Sequence, residues 1–200
     1  LHLFALPSLI AATILEQPQT SIADIATKVT KLYPLIKAEL YLKYDEQKLE
    51  TEISAVLVEL QQQGLIVNNA GFISSVPETL MSLKLLAANI QETLQRYAIV
   101  LTVLENDQTI EKADLELRSQ LIAERLASLN GVSAPEFFDK KVLTIFINEL
   151  QSLNYLTESG TARADKISEL ATTVRKLTAL EVKQTITDVM LSQQEKTNVK

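Results

Sequence analysis

Residues 133–140 read SAPEFFDK and set two carboxylates, Glu136 and Asp139, around the pair Phe137 and Phe138. Two acids beside apolar rings could work as a general acid and base, provided a cleft shifts their ionisation apart. Helix geometry offers a simpler account. Asn130-Gly131 can end one helix, and Ser133-x-x-Glu136 with Pro135 in the first turn matches a capping box that opens the next. Glu136 also stands four residues before Lys140, the favourable order for a helix ion pair of a few tenths of a kcal/mol. Phe137 and Phe138 then point in different directions, leaving one ring able to meet another domain. Capping and packing account for every residue of the stretch without a catalytic partner.

The remaining chemistry-bearing residues are few. His2 is the only histidine and there is no cysteine, so thiolate metal sites, cysteine nucleophiles and disulfides are excluded. Carboxylates alone remain as metal ligands, without EF-hand spacing, and no metal or cofactor is expected. Gly64, Gly71, Gly131 and Gly160 are scattered singly, which removes phosphate loops and dinucleotide fingerprints. The net charge of -6 repels nucleic-acid phosphates and anionic lipid unless the cations share one face. Lys28, Lys31, Lys37, Lys43 and Lys48 are instead diluted by Glu39, Asp45 and Glu46, as on a solvated helix surface.

With 200 residues, 46% hydrophobic, the chain can bury a substantial core. Its sparse glycines and prolines mark element ends, so the fold class expected is mainly α. Leu3 to Leu15 is the most apolar stretch but falls short of the ~20 residues of a bilayer span, and reads as a buried helix. The chain opens on Leu1, with neither a charged leader nor a cleavage site, and is expected to be cut from something longer.

Ser21-Ile-Ala-Asp24 has the form of a capping box with a shorter acid, predicting a helix to about Leu32. Tyr33 precedes Pro34, so a fresh helix is expected from there through Leu40 and Leu42, and Asp45 can cap another. That third helix carries Leu49, Ile53, Val56, Leu57 and Leu60 and closes at Gly64. Leu65 to Val67 and Phe72-Ile73 flank Asn68-Asn-Ala-Gly71 as a hairpin. Three helices followed by a small hairpin is the order of a winged-helix unit.

The order is written twice. TILEQPQTSIADI from Thr13 resembles TVLENDQTIEKADL from Thr102, and ELQQQGLI from Glu59 resembles ELQSLNYL from Glu149, both at a spacing of about 90 residues. In the second copy Asn154 takes the place of the closing glycine, and no clear return strand follows Gly160, so its wing should be rudimentary. The expected organisation is a first winged-helix-like unit over 1–76, a connecting helix over 77–104 that opens at Pro77, a second unit over 105–160, and a terminal helix with a frayed tail over 161–200. Ile167, Leu170, Ala171, Val174 and Leu177 mark that last helix, which could continue to Met190.

LYPLIKAELYL (32–42), ETLQRYAIVLTVL (92–104) and SAPEFFDK together closely resemble the C-terminal region of bacterial membrane-bound glycerol-3-phosphate acyltransferases, over about Leu3 to Val182. That family transfers a fatty acyl group from acyl-CoA or acyl-carrier protein to position 1 of sn-glycerol 3-phosphate. Its chemistry rests on a His-x-x-x-x-Asp motif, in which the carboxylate orients the imidazole that deprotonates the hydroxyl. Here the residue five positions after His2 is Pro7, so no catalytic residue carries over. The resemblance implies a non-catalytic domain whose partner is the catalytic acyltransferase domain of the same chain. Tyr33, Tyr41, Tyr97, Phe137 and Phe138 are expected to supply the docking surface, although tyrosines, Tyr44 included, are more often core or core-edge rings.

The location implied is peripheral, on the cytoplasmic side of the bacterial inner membrane, with membrane contact made by the parent rather than by a transmembrane helix here. The alternative is a free-standing winged-helix adaptor for protein partners or, less favoured, for DNA. No nucleic acid is expected, because the candidate recognition segment 46–64 has Glu46, Glu50, Glu52 and Glu59 against Lys48, and 68–75 has no basic residue.

Overall fold

The computed structural model describes residues 4–40, 42, 46–130, 135–178 and 186–188, which are mainly helical. It divides into two compact units, 1–91 and 92–200.

In the first unit the apolar stretch near the N-terminus forms α1 (Ala5–Leu15), in which even Ser8 and Thr13 are buried. A helix apolar on every side needs neighbours on every side. α1 finds them in α2 (Ile22–Leu40), α3 (Leu49–Gln62) and α4 (Leu80–Ala88), together with a small sheet. The capping box opens α2 as expected. Asp24 N–H donates to Ser21 Oγ at 3.1 Å, and the short acid accepts from that hydroxyl at 2.7 Å.

The fresh helix expected after Tyr33 does not occur, because α2 runs unbroken through Pro34. Proline in a helix interior removes one hydrogen bond and crowds the carbonyl four residues back. Burial offsets that local cost, since Val29, Leu32, Tyr33 and Ile36 continue one apolar stripe across the proline. Asp45 lies outside the described residues.

α3 buries Leu49, Ile53, Leu57 and Leu60 and ends in a Schellman cap. Gly64 takes φ +69°, its N–H donates to Gln61 O, and Leu65 N–H donates to Leu60 O, both at 3.0 Å. The hairpin follows, as β2 (Ile66–Asn69) and β3 (Phe72–Ser75). A third strand, β1 (Thr20–Ser21), was not anticipated from pattern. It pairs antiparallel with β3 in a sheet of order β1-β3-β2. Two residues carry no periodicity of their own, and only the pairing reveals them.

Ala70 and Gly71, at φ +53° and +88°, are the corner residues of the hairpin. Positive φ at both corners is the two-residue turn that favours Asn-Gly, whereas alanine there carries a Cβ clash of roughly 1–2 kcal/mol. Ala70→Asn should therefore stabilise the chain by about 0.5–1 kcal/mol. A urea midpoint that fails to rise would contradict this turn geometry.

The single helix expected from Pro77 is instead a 3-10 turn (Pro77–Thr79), then α4, then α5 (Gln91–Asn106). The break falls at Asn89, whose side-chain amide donates to the carbonyls of Leu85 and Leu86 at 3.3 and 3.1 Å and so competes with continued helix.

In the second unit α5, buried over most of its surface, is followed by α6 (Lys112–Asn130), α7 (Lys140–Ser152) and α8 (Ala164–Leu177). Tyr97 of α5 stacks on Phe146 of α7, with ring centroids 3.8 Å apart and planes 6° from parallel. Arg175 of α8 grips both carboxylate oxygens of Glu105 on α5. α8 buries all five residues that marked it, and ends at Leu177 with Thr178 as its C-cap. Met190 and 193–200 lie outside the described residues.

α7 closes as α3 does. Asn154 takes φ +62°, its N–H donates to Gln151 O at 3.0 Å, and Tyr155 N–H donates to Leu150 O at 2.8 Å. Asparagine thus occupies the left-handed position held by Gly64 in the first unit. Beyond it an isolated antiparallel bridge pairs Leu156 with Ala162, around Gly160 at φ +87°.

Candidate functional site

Of the two carboxylates in the opening stretch, that of Asp139 is engaged in helix structure. Asp139, not Ser133, is the N-cap of α7, accepting from Lys141 N–H at 2.8 Å. Pro135–Phe138 is a 3-10 turn ahead of that cap, so the expected capping box does not open α7. The reason is local: Asp139 adopts extended backbone and offers its carboxylate directly to the first turn. Ser133 and the side chain of Glu136 lie outside the described residues.

Glu116 of α6, largely buried, accepts from the Thr144 hydroxyl at 2.9 Å and has the Lys140 ammonium 3.4 Å away. These contacts tie α6 to α7. In the first unit Lys28 of α2 pairs with Glu16, just beyond α1. Such pairs hold helices in register and leave those carboxylates facing partners rather than a cleft.

Of the rings expected to dock, Tyr33, Tyr97 and Phe137 are each 0% exposed. Tyr33 belongs to the first unit, while Tyr97 and Phe137 belong to the second. Phe138 is partly exposed, and Tyr41 lies outside the described residues.

A shallow cleft of about 250 Å³ in the second unit is lined by Leu104, Glu105, Gln108, Asp165, Ile167 and Ser168. Its acids are accounted for by the Arg175 pair and by the first turn of α8, where a negative charge suits the helix dipole. Burial, followed by the charge of Glu169, raises the Tyr155 hydroxyl above the ordinary phenol range and keeps it neutral. Among the described residues no cluster of metal-ligating side chains is gathered, and no helix is long and apolar enough to cross a membrane.

What pattern reasoning missed is apolar surface. α4 reads LMSLKLLAA; Leu83 and Ala87 are buried, while Met81 and Leu85 are 68% and 65% exposed. α6 similarly turns Leu117 and Leu121 outward, opposite Ser119, Ile122 and Leu126. The signal was available in α4, where apolar residues occupy every side of one short helix.

The chain matches the family model described as glycerol-3-phosphate acyltransferase C-terminal region over residues 1–159. It is 40% identical over 185 residues to a glycerol-3-phosphate acyltransferase of Haemophilus influenzae (strain 86-028NP), covering 92% of this chain and 23% of that protein. The protein of the same name from Aeromonas hydrophila subsp. hydrophila is 41% identical over 186 residues, 93% of this chain and 23% of the relative. That from Pasteurella multocida (strain Pm70) is 36% identical over 185 residues, with 92% and 23% covered. No solved structure matches. This chain, spanning about a quarter of those relatives, belongs to the family of glycerol-3-phosphate acyltransferase C-terminal regions.

Proposed function

We propose that this chain is a non-catalytic part of a glycerol-3-phosphate acyltransferase, one that packs against the catalytic portion of the same polypeptide and supports it. The parent would transfer an acyl group from acyl-CoA or acyl-carrier protein to position 1 of sn-glycerol 3-phosphate, at the cytoplasmic face of the bacterial inner membrane. The observation that carries this assignment is the engagement of acids, Asp139 of the opening stretch among them, in holding helices. Asp139 caps a helix, Glu116 and Glu105 join helices, and Asp24 closes a capping box. Their geometry serves architecture.

The internal architecture proposed is two winged-helix-like units, over 1–76 and 105–160. In its support, the first unit runs helix, strand, helix, helix, hairpin with a three-stranded antiparallel sheet. The second holds α6, a 3-10 turn and α7, and repeats the Schellman cap and a reduced hairpin. A DNA-binding role would need cations on α3 and the hairpin to neutralise phosphates, and the sequence there is acidic or uncharged.

Assaying the isolated chain with labelled acyl-CoA and glycerol 3-phosphate tests the division of labour. No lysophosphatidate should form above the protein-free background. Turnover by this chain alone would overturn the proposal.

A further inference from the structure

We infer that the outward stripe of α4, formed by Met81, Leu85 and Ala88, is a seat for the catalytic portion of the same polypeptide. The inference rests on the docking proposed above and specifies where it occurs. Within Leu80–Ala88 only Ser82 and Lys84 are polar. A helix apolar on all sides is stable in water only when all sides are covered. One side is covered, because α4 packs along α1 and buries Leu83 and Ala87. Met81, Leu85 and Ala88 succeed one another at helical spacing on the opposite side, and all three are exposed.

Size and charge choose among possible occupants. Three side chains offer on the order of a few hundred Å², below the ~800 Å² per partner of a free-standing complex. A second copy of the chain would therefore be held weakly on this stripe. A tethered partner needs far less area, because linkage raises its effective concentration to the millimolar range or so. The relatives supply such a partner, since this region covers 23% of their length. A lipid surface is disfavoured by charge. Glu78 and Lys84 are the only charged residues over 77–89, whereas interfacial helices carry a basic rim. Met81 suits a protein seat, its unbranched thioether adapting to an irregular surface.

Cysteine footprinting on the full-length, membrane-associated parent tests this seat, reading modification of each peptide by mass spectrometry. Met81→Cys and Leu85→Cys are compared with Glu50→Cys on the exposed side of α3 and with Leu121→Cys on α6. Positions 81 and 85 should react with a soluble maleimide at least an order of magnitude more slowly than position 50. A benzophenone amino acid at position 85 should cross-link within the polypeptide, to residues preceding this region. Crosslinks to a second copy or to lipid, or reaction of 81 and 85 at the rate of position 50, would overturn the seat. If position 121 is protected and cross-links to the preceding chain while 85 stays reactive, docking stands and its location on α4 fails. Rapid reaction at 81, 85 and 121 alike, without intramolecular crosslinks, defeats the docking proposal itself.

Discussion

Phe146→Ala is expected to lower the unfolding free energy by about 3–5 kcal/mol, a large share of the ~5–15 kcal/mol that holds a domain folded. Phe146 is 1% exposed and its ring lies flat on Tyr97, so truncation removes both an apolar side chain and the face on which the tyrosine rests. The two rings join α5 to α7, and Leu143, Ile147 and Leu150 line the same buried side of α7. A cavity in that position would be lined by other buried side chains of α5 and α7. Phe146→Leu, which keeps more of the volume, should cost distinctly less. Urea denaturation followed by circular dichroism measures both, and an alanine variant unfolding at the wild-type midpoint would show that the stack carries no weight.

Pro34→Ala should act in the opposite direction, raising stability by about 2 kcal/mol. A proline inside a helix costs about 3 kcal/mol through its missing donor and ring clash. Its stiffening of the unfolded chain returns roughly 0.4–1 kcal/mol of that. With alanine, the position 34 N–H can donate to the Thr30 carbonyl, completing the ladder that α2 already follows on both sides. Destabilisation instead would mean that the proline sets a bend on which the packing of Leu35 and Ile36 depends. The same urea titration distinguishes the two.

Much of this fold could be read from residue patterns, for identifiable reasons. Local signals with a geometric mechanism predicted well: Ser21 with Asp24 opened α2, Gly64 and Asn154 took left-handed conformations, and the spacing of Ile167 to Leu177 marked the buried face of α8. Failures came where a non-local interaction or a side-chain competitor decided the outcome. Burial carried α2 through Pro34, pairing with β3 made a strand of Thr20-Ser21, and the Asn89 amide ended α4 where apolar periodicity continued.

Surface was harder to foresee than core. Residue type marked Tyr33, Tyr97 and Phe137 as capable of docking, but their phase on their elements turned them inward. Met81 and Leu85 look like ordinary core residues in sequence, and only the placement of α1 on one side of α4 reveals that the other side is bare.

Each compact unit is made from one continuous stretch of chain, 1–91 and then 92–200. None of the partners of α1 within its unit, from β1 to α4, lies beyond residue 91. During synthesis the first unit can therefore close around its own hydrophobic helix before the ribosome has finished the second, consistent with domains folding as units from the N-terminal side. Early closure would hide this apolar helix while later helices are still being translated.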